Sequence, residues 1–183
     1  MFQNRRIFMP LLAALALVAL VLGVTACGYE SHEKDVAEGE PVELGELSFN
    51  VTFSRFLNPA DNEDSAYLVG QEPPPKGSTY FGIFFEIQNE SDEPQTLPST
   101  LTITDADHNE FEVLPSESIY ALEFGGEVES QEQVPVLDST ANLGAIEGAL
   151  AIFLLPEEVS ENRPLTLHIP GADGENGEVE LDL

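Results

Sequence analysis

The sequence predicts an all-β fold, an antiparallel β-sandwich that follows an N-terminal signal segment and a disordered tether. Three observations lead to this prediction. Apolar and polar residues alternate with a period of two in several short runs, turn-forming residues separate these runs, and helical patterns are nearly absent. Short strands with turn signals between them are typical of two packed sheets.

The strongest strand signal is the run from Thr79 to Gln88, which we expect to be the central strand of the fold. Its aromatic and β-branched content favours a strand, and turn formers from Asn89 to Pro94 end it abruptly. The large apolar residues of one face are Phe81, Ile83, Phe85 and Ile87.

Further strands are predicted before and after this one in the sequence. Residues 47–53 alternate as a half-buried strand, residues 101–104 and 111–114 form a β-hairpin, and residues 149–155 form a strand buried on both faces. Val134-Pro135 indicates an edge strand, because proline cannot donate to a central ladder. Residues 165–169 and 179–183 complete the set. The predicted single core consists of Phe49, Phe53, Phe81, Ile83, Phe85, Ile87, Leu101, Ile103, Leu150, Ile152 and Leu167.

The N-terminal segment, residues 1–26, is typical of an export signal. Arg5 and Arg6 precede an apolar stretch from Ile7 to Val24, and the segment ends in Val24-Thr25-Ala26-Cys27. This ending resembles the bacterial lipoprotein signal, in which the cysteine is lipidated and becomes the N-terminus. Cys27 is therefore the predicted lipidation site, and it implies attachment to the extracytoplasmic face of the membrane. An uncleaved membrane helix is one alternative, since the stretch approaches the roughly 20 residues that a bilayer requires, and plain secretion is the other.

The arginine pair also resembles a twin-arginine export motif, although Asn4 stands where that motif has Ser or Thr. Ordinary positive charge before the apolar stretch is the preferred interpretation, and it leaves the export route open.

Two segments are predicted to lack regular structure. Residues 27–43 are acidic and poor in large apolar residues, so they are expected to form a disordered tether ahead of a domain at residues 44–183. Residues 58–78 form a long connection, in which the apolar Tyr67-Leu68-Val69 is expected to dock on the core or to form a short edge strand.

Several of these segments together resemble a known family. They are the run Tyr80 to Gln88 with its turn, the Asp105 to Asn109 turn, the late run from Glu147 to Pro156, and Pro164 to Leu167. The pattern is similar to an extracytoplasmic immunoglobulin-like domain of unknown function found in Gram-positive lipoproteins, a family also labelled telomeric repeat-binding factor-like. The resemblance implies an immunoglobulin-like sandwich in the cell envelope and implies no catalytic residues. His108 and Asn109 stand where the family usually has a turn glycine.

Charge excludes one class of partner. After Cys27 the chain has four basic residues against 34 acidic ones, a net charge of −30. Nucleic-acid recognition depends on clustered Lys and Arg, so nucleic acid is excluded as a partner despite the family label. The charge is interpreted as a solubility device or a salt adaptation, with an acidic surface for cations or basic partners as the alternative.

Two acidic groups are candidates for weak divalent cation binding. Asp105, Asp107 and Asn109 alternate as in a calcium-binding EF-hand loop, but the sixth position is Glu110, where that loop requires glycine. No metal site is therefore predicted there. Asp61, Glu63 and Asp64 form the second acidic group.

No catalytic or cofactor-binding residues are predicted. Cys27 is the only thiol, and His32, His108 and His168 are expected in a tether, a turn and a strand face. The sequence therefore favours a non-catalytic binding or accessory module of the envelope, with an unidentified envelope protein or ligand as partner. The alternative is a passive structural surface protein. An exposed aromatic patch near Tyr67, Tyr80 or Tyr120 would favour binding.

The charge generates a first prediction, that the melting temperature rises as salt increases from low ionic strength. Four basic residues cannot pair 34 acidic ones, so folding concentrates like charge. The Debye length falls from ~30 Å at 0.01 M to ~8 Å at 0.15 M, which screens this repulsion. Thermal melts in sodium chloride test it, with calcium chloride at matched ionic strength as the control for specific cation binding. A melting temperature that stays flat or falls with salt contradicts the prediction.

Overall fold

Two β-sheets face each other across the main core of the protein. The structure, a computed structural model, describes residues 33–182, except for the side chains of Glu33, Lys34 and Asp173. Sheet A has the strand order β1-β12-β11-β6-β7, and sheet B has the order β10-β4-β3-β2, with β9 pairing β4 as well. A two-stranded ribbon, β5 with β8, lies outside these sheets. The prediction of an all-β, immunoglobulin-like sandwich is confirmed.

The strands of sheet A are β1 (Glu33–Ala37), β6 (Thr102–Thr104), β7 (Glu110–Glu112), β11 (Leu165–Pro170) and β12 (Asn176–Leu181). Those of sheet B are β2 (Val42–Leu44), β3 (Leu47–Leu57), β4 (Ser78–Asn89), β9 (Gln133–Val134) and β10 (Ala149–Pro156). The ribbon strands are β5 (Gln95–Thr96) and β8 (Glu127–Val128). One helix, α1 (Asn62–Tyr67), and two short 3-10 helices, Glu157–Glu161 and Ala172–Gly174, complete the described elements. All strand pairs are antiparallel except β1 with β12.

Strand β4 is the central strand of sheet B, as predicted. It pairs with β3 on one side and with β10 and then β9 on the other. Phe81, Ile83, Phe85 and Ile87 point into the main core, and each is 0% exposed. Tyr80 and Phe84 alternate with them and are also buried, so this strand has a core on both faces.

The second core lies on the outer face of sheet B. It contains Leu57, Tyr67, Leu68, Tyr80, Phe84, Leu150 and Ile152. Leu150 and Ile152 were predicted to share one core with the other apolar residues, and this is wrong, because alternate residues of β10 face opposite sides of the sheet.

Phe53 is not in the core, contrary to the prediction. Its side chain is 43% exposed, because β3 contains a bulge between Val51 and Phe53. Val51 pairs with Phe85 and Phe53 pairs with Phe84, which leaves Thr52 as the extra residue. One extra residue reverses which face the following side chains occupy. In the bulge, the Thr52 hydroxyl donates to two carbonyl oxygens, that of Phe84 at 3.1 Å and that of Glu147 at 3.0 Å.

The prediction that residues 33–43 belong to a disordered tether is also wrong. They include β1 and β2, and Val42 is 1% exposed within the main core. Few apolar residues are needed here, because edge strands are held largely by backbone pairing with β12 and β3. Residues 27–32, the rest of the predicted tether, lie outside the described part of the chain.

The long connection between β3 and β4 contains helix α1, which was not predicted. The Asp61 side chain caps this helix by accepting from the Glu63 backbone N–H at 2.8 Å. The expected docking of Tyr67 is confirmed: its ring packs edge-on against Phe84 with centroids 5.2 Å apart. Leu68 is buried beside it, whereas Val69 is 47% exposed.

Phe85 in β4 and Phe53 in β3, which lie on opposite faces of sheet B, allow a matched stability test. Phe85→Ala should lower the free energy of unfolding by about 3 to 5 kcal/mol, because it leaves a cavity in the main core. Phe53→Ala should cost less than about 1 kcal/mol, since much of that ring is already in water. Urea unfolding followed by circular dichroism measures both. Similar losses in the two variants would contradict the position of the bulge.

Candidate functional site

The tyrosines that the sequence offered as an exposed aromatic patch belong to the second core instead. Tyr67 is 2% exposed and Tyr80 is 5% exposed, and burial raises the pKa of both phenols. The Tyr80 hydroxyl donates to the Glu72 carbonyl oxygen at 2.6 Å. Tyr120 is half-buried against Tyr67, with ring centroids 4.9 Å apart. These rings stabilise the fold and offer no aromatic binding surface.

The acidic group around α1 is occupied by local interactions. Asp64 is buried, forms an ion pair with Arg55, and accepts from the Asn58 backbone N–H at 2.7 Å. Glu63 lies 3.6 Å from the same guanidinium, and Asp61 caps the helix. This group therefore holds the long connection in place. Within residues 33–182, no three His, Cys, Asp or Glu side chains are placed so that they could hold a metal ion.

The Asp105 turn has a structural role of the same kind. Asp105 is 5% exposed, and its carboxylate accepts from the backbone N–H groups of Asp107 and Asn109 and from the Asn109 side chain. The Asn109 amide holds the pKa of Asp105 below its ordinary value of 3.8. His108 has a φ of 61°, a conformation that glycine adopts most easily, so it is the turn residue that the sequence indicated.

His168 lies in a polar row across sheet A. Its Nε2 is 2.8 Å from the Thr104 hydroxyl, and its Nδ1 is 3.3 Å from a Glu178 carboxylate oxygen. The order of groups is that of a nucleophile, a base and an orienting acid. However, β6 is hydrogen-bonded on both sides, so its backbone supplies no free N–H groups to stabilise an oxyanion. The row joins the neighbouring strands β6, β11 and β12 through side-chain contacts.

A cleft of about 570 Å³ lies at the C-terminal end of β4. It lies where β4 meets β9 and the loop before β9. The residues that line it are of three kinds: the acids Glu90 and Glu132, the amide residues Gln88, Asn89, Gln131 and Gln133, and the aliphatic pair Val136 and Leu137. No aromatic residue lines it.

Two loops far apart in sequence are joined to form this cleft. The buried Asn89 side chain donates to the carbonyl oxygens of Glu93, Val128 and Glu129 at 2.8 to 3.0 Å. The Asn89 backbone N–H also donates to the Glu132 carbonyl oxygen at 2.9 Å. A buried amide with several partners fixes the geometry of the chain around it. The walls of the cleft are therefore preformed.

Gln131 reinforces the same junction. Its side chain donates to the carbonyl oxygens of Glu90 and Ser91 at 2.7 and 3.0 Å, while its backbone has a φ of 60°. A left-handed conformation costs a residue other than glycine about 1 to 2 kcal/mol. The loop keeps this strained residue where its amide joins the two sides of the cleft.

The cleft was not predicted from the sequence. Residues 89–94 and 127–133 were recognised only as polar turn segments, and nothing in either segment indicates that they meet. The one local signal is the position of Asn89, a polar residue at the end of an apolar strand. An amide that is buried there requires hydrogen-bond partners from elsewhere in the chain.

Within residues 33–182, none of the exposed large hydrophobic residues lies in sheet A. The large hydrophobic residues that are most exposed in the described part of the chain are Phe53, Val69, Ile119, Val136, Leu137 and Leu143. The outer face of sheet A instead includes polar residues such as Thr104, His168 and Glu178. The outer face of sheet A therefore differs in character from the cleft, which is lined in part by Val136 and Leu137.

Cys27 and His32 lie outside the described residues, so the predicted lipidation site stays a prediction. Between residues 33 and 182, no helix has the length and apolarity needed to cross a membrane.

Comparison with known proteins shows the class of the fold. No family model matches the chain, and none of the curated proteins matches it. Its structure is similar to the yjhA protein from Bacillus subtilis, with a TM-score of 0.54 and 14% identity over 80% of this chain and 99% of that one. At this identity the similarity shows the β-sandwich fold alone.

Two further solved structures are similar. An uncharacterized β-sandwich protein from Clostridium difficile 630 has a TM-score of 0.49 and 17% identity over 84% of this chain and 97% of that one. The putative lipoprotein ycdA from Bacillus subtilis has a TM-score of 0.49 and 10% identity over 80% of this chain, which spans 39% of its length. The protein is thus similar to uncharacterized bacterial β-sandwich proteins, one of them a putative lipoprotein. The resemblance to the telomeric repeat-binding factor-like family stays a prediction.

The Asp105 turn generates a prediction on pH. Because the folded pKa of Asp105 lies below 3.8, its ionised carboxylate stabilises the fold fully above that pH, and this contribution is lost as pH falls through the folded pKa. Asp105→Asn should therefore cost about 1 to 2 kcal/mol at pH 6, and the cost should shrink below pH 3.8. Urea unfolding from pH 2.5 to 6 measures it. Asp107→Asn, at an exposed position in the same turn, is the control; equal pH dependence in both variants would contradict the assignment.

Proposed function

We propose that the protein is a membrane-tethered extracytoplasmic lipoprotein that acts as a non-catalytic binding module of the cell envelope. The observation that carries this proposal is the preformed cleft at the end of β4. The cleft places the exposed Val136 and Leu137 beside acids and amides, and apolar surface rimmed by polar residues is a feature of binding sites.

A lipid on Cys27 would hold the domain close to the membrane. Only five residues, 28–32, separate Cys27 from β1. An extended chain covers at most about 3.6 Å per residue, so a lipidated Cys27 would hold the start of β1 within about 22 Å of the bilayer. A module held so close would act on partners at or near the membrane surface.

A passive structural role is the second candidate. The burial of Tyr67 and Tyr80 favours it, because it removes the aromatic patch that would mark a binding surface. The many unpaired acids favour it too, since they would keep a surface protein soluble. The two candidates differ in whether the cleft takes a ligand, which a passive protein would not bind.

Cell fractionation tests the tether. Cys27→Ser should release the protein from the membrane fraction, because stable anchoring requires the acyl chains that this cysteine would hold. Ser31→Ala, four residues away, is the control and should leave the protein in the membrane fraction. If the Cys27→Ser protein stays in the membrane, residues 7–24 form an uncleaved helix and the lipoprotein proposal fails.

A further inference from the structure

We propose that the cleft at the end of β4 binds a lysine- or arginine-containing apolar peptide segment of a partner protein. This inference deepens the proposed function, on which it rests, by naming the class of ligand. Four observations carry it: the preformed walls of the cleft, its unpaired carboxylates, its shortage of free donors, and its aliphatic side.

The carboxylates supply the charge. Glu90 and Glu132 are exposed at the cleft, and within residues 33–182 neither side chain has a hydrogen-bond or ion-pair partner. The basic side chains that the structure describes are far along the chain from them: Arg55 pairs with Asp64, Lys76 precedes β4, and Arg163 precedes β11. Among the residues whose side chains are described, these two charges therefore have no basic partner.

The donors of the cleft are largely used by the protein. Asn89 and Gln131 donate to two or more carbonyl oxygens each. Gln88 donates to Glu86 at 3.0 Å, and Gln133 donates to the Pro135 carbonyl oxygen at 3.3 Å. The two carboxylates offer four acceptor oxygens, so the cleft presents more acceptors than donors. A complementary ligand must be rich in N–H donors, as ammonium and guanidinium groups are.

The aliphatic side selects among cations. Val136 and Leu137 are 58% and 65% exposed, and they line the cleft together with the carboxylates. Lys and Arg pack their methylene stems on apolar surface while the charged end reaches acceptors. An apolar neighbour in the same peptide would cover the remaining aliphatic surface. A metal ion gains nothing from such a side, and Ca²⁺ requires six to eight oxygen ligands, which two carboxylates do not supply.

Other ligand classes fit less well. Phosphate and other anions would be repelled by Glu90 and Glu132. Neutral sugars need donors and acceptors in similar number, and the cleft has few free donors. A basic amphipathic peptide would bind the carboxylates, supply the missing donors and cover the aliphatic side.

Peptide binding to the full-length protein in non-ionic detergent tests the inference. The probe is a fluorescent Gly-Leu-Arg-Leu-Arg-Gly peptide, and its control replaces both arginines by citrulline, a neutral analogue of the same shape. We expect the arginine peptide to bind at least tenfold more tightly at 0.15 M salt. Equal affinity for the two peptides, or no binding of either at millimolar concentration, would overturn the inference.

Matched substitutions locate the site. Glu90→Gln with Glu132→Gln should weaken binding at least tenfold, whereas Glu110→Gln with Glu112→Gln, on exposed positions of β7, should change it less than twofold. The two pairs alter the net charge equally, so equal losses would mean attraction to the whole acidic surface and would overturn the inference. Circular dichroism melts establish that each variant is folded.

Two further arms separate the alternatives. Val136→Ser with Leu137→Ser should weaken binding several-fold, and Ile119→Ser with Leu143→Ser, which alters exposed apolar residues outside the cleft, should not. Millimolar calcium that displaces the peptide at matched ionic strength would instead indicate a cation site and overturn the inference. Because the protein is solubilised, these results do not depend on Cys27, whose lipidation is tested by fractionation.

Discussion

The burial of β4 on both faces is the constraint on which the rest of the structure depends. Phe81, Ile83, Phe85 and Ile87 face the main core, while Tyr80 and Phe84 face the second one. A strand of this kind needs apolar residues packed against both of its faces. In a two-sheet sandwich the facing sheet covers only the inner face. The outer cover is made by α1 and by the loops around Tyr120 and Ile146. The long connections of the chain are therefore part of the fold rather than additions to it.

The same strand determines where the cleft forms. Where β4 ends, its last residue, Asn89, is 2% exposed and carries an amide that must be satisfied. It is satisfied by carbonyl oxygens of the 128–129 segment, about 40 residues further along the chain. This brings Glu132 beside Glu90, and it positions β9 to extend the pairing of β4 beyond the end of β10. The charge of the cleft thus follows from the way in which a buried strand ends.

Sequence reasoning succeeded where a local pattern decides the structure. The alternation of β4, the apolar run of β10 and the 101–114 hairpin each follow from side-chain period and turn residues. It failed at Phe53, because the bulge at Thr52 depends on hydrogen bonds to Phe84 and Glu147, which no local pattern reveals. It failed at β1 and β2 because backbone pairing, more than apolar content, holds these edge strands. The cleft was missed for a related reason, since it depends on partners that are distant in sequence.

Strand pairing and hydrogen bonds connect the start of β1 with the cleft. β1 begins opposite Asn176, and the neighbouring Glu175 accepts from the Gly45 backbone N–H at 2.7 Å. The carbonyl oxygen of Glu46, the residue after Gly45, accepts from the backbone N–H of Glu90, which lines the cleft. The chain therefore enters the sandwich at the same end as the cleft. A lipid on Cys27 would turn that end towards the bilayer, where the carboxylates would be repelled by anionic headgroups. A basic segment of a neighbouring membrane protein would relieve this repulsion as it binds, so tethering would favour such a partner over the lipid surface itself.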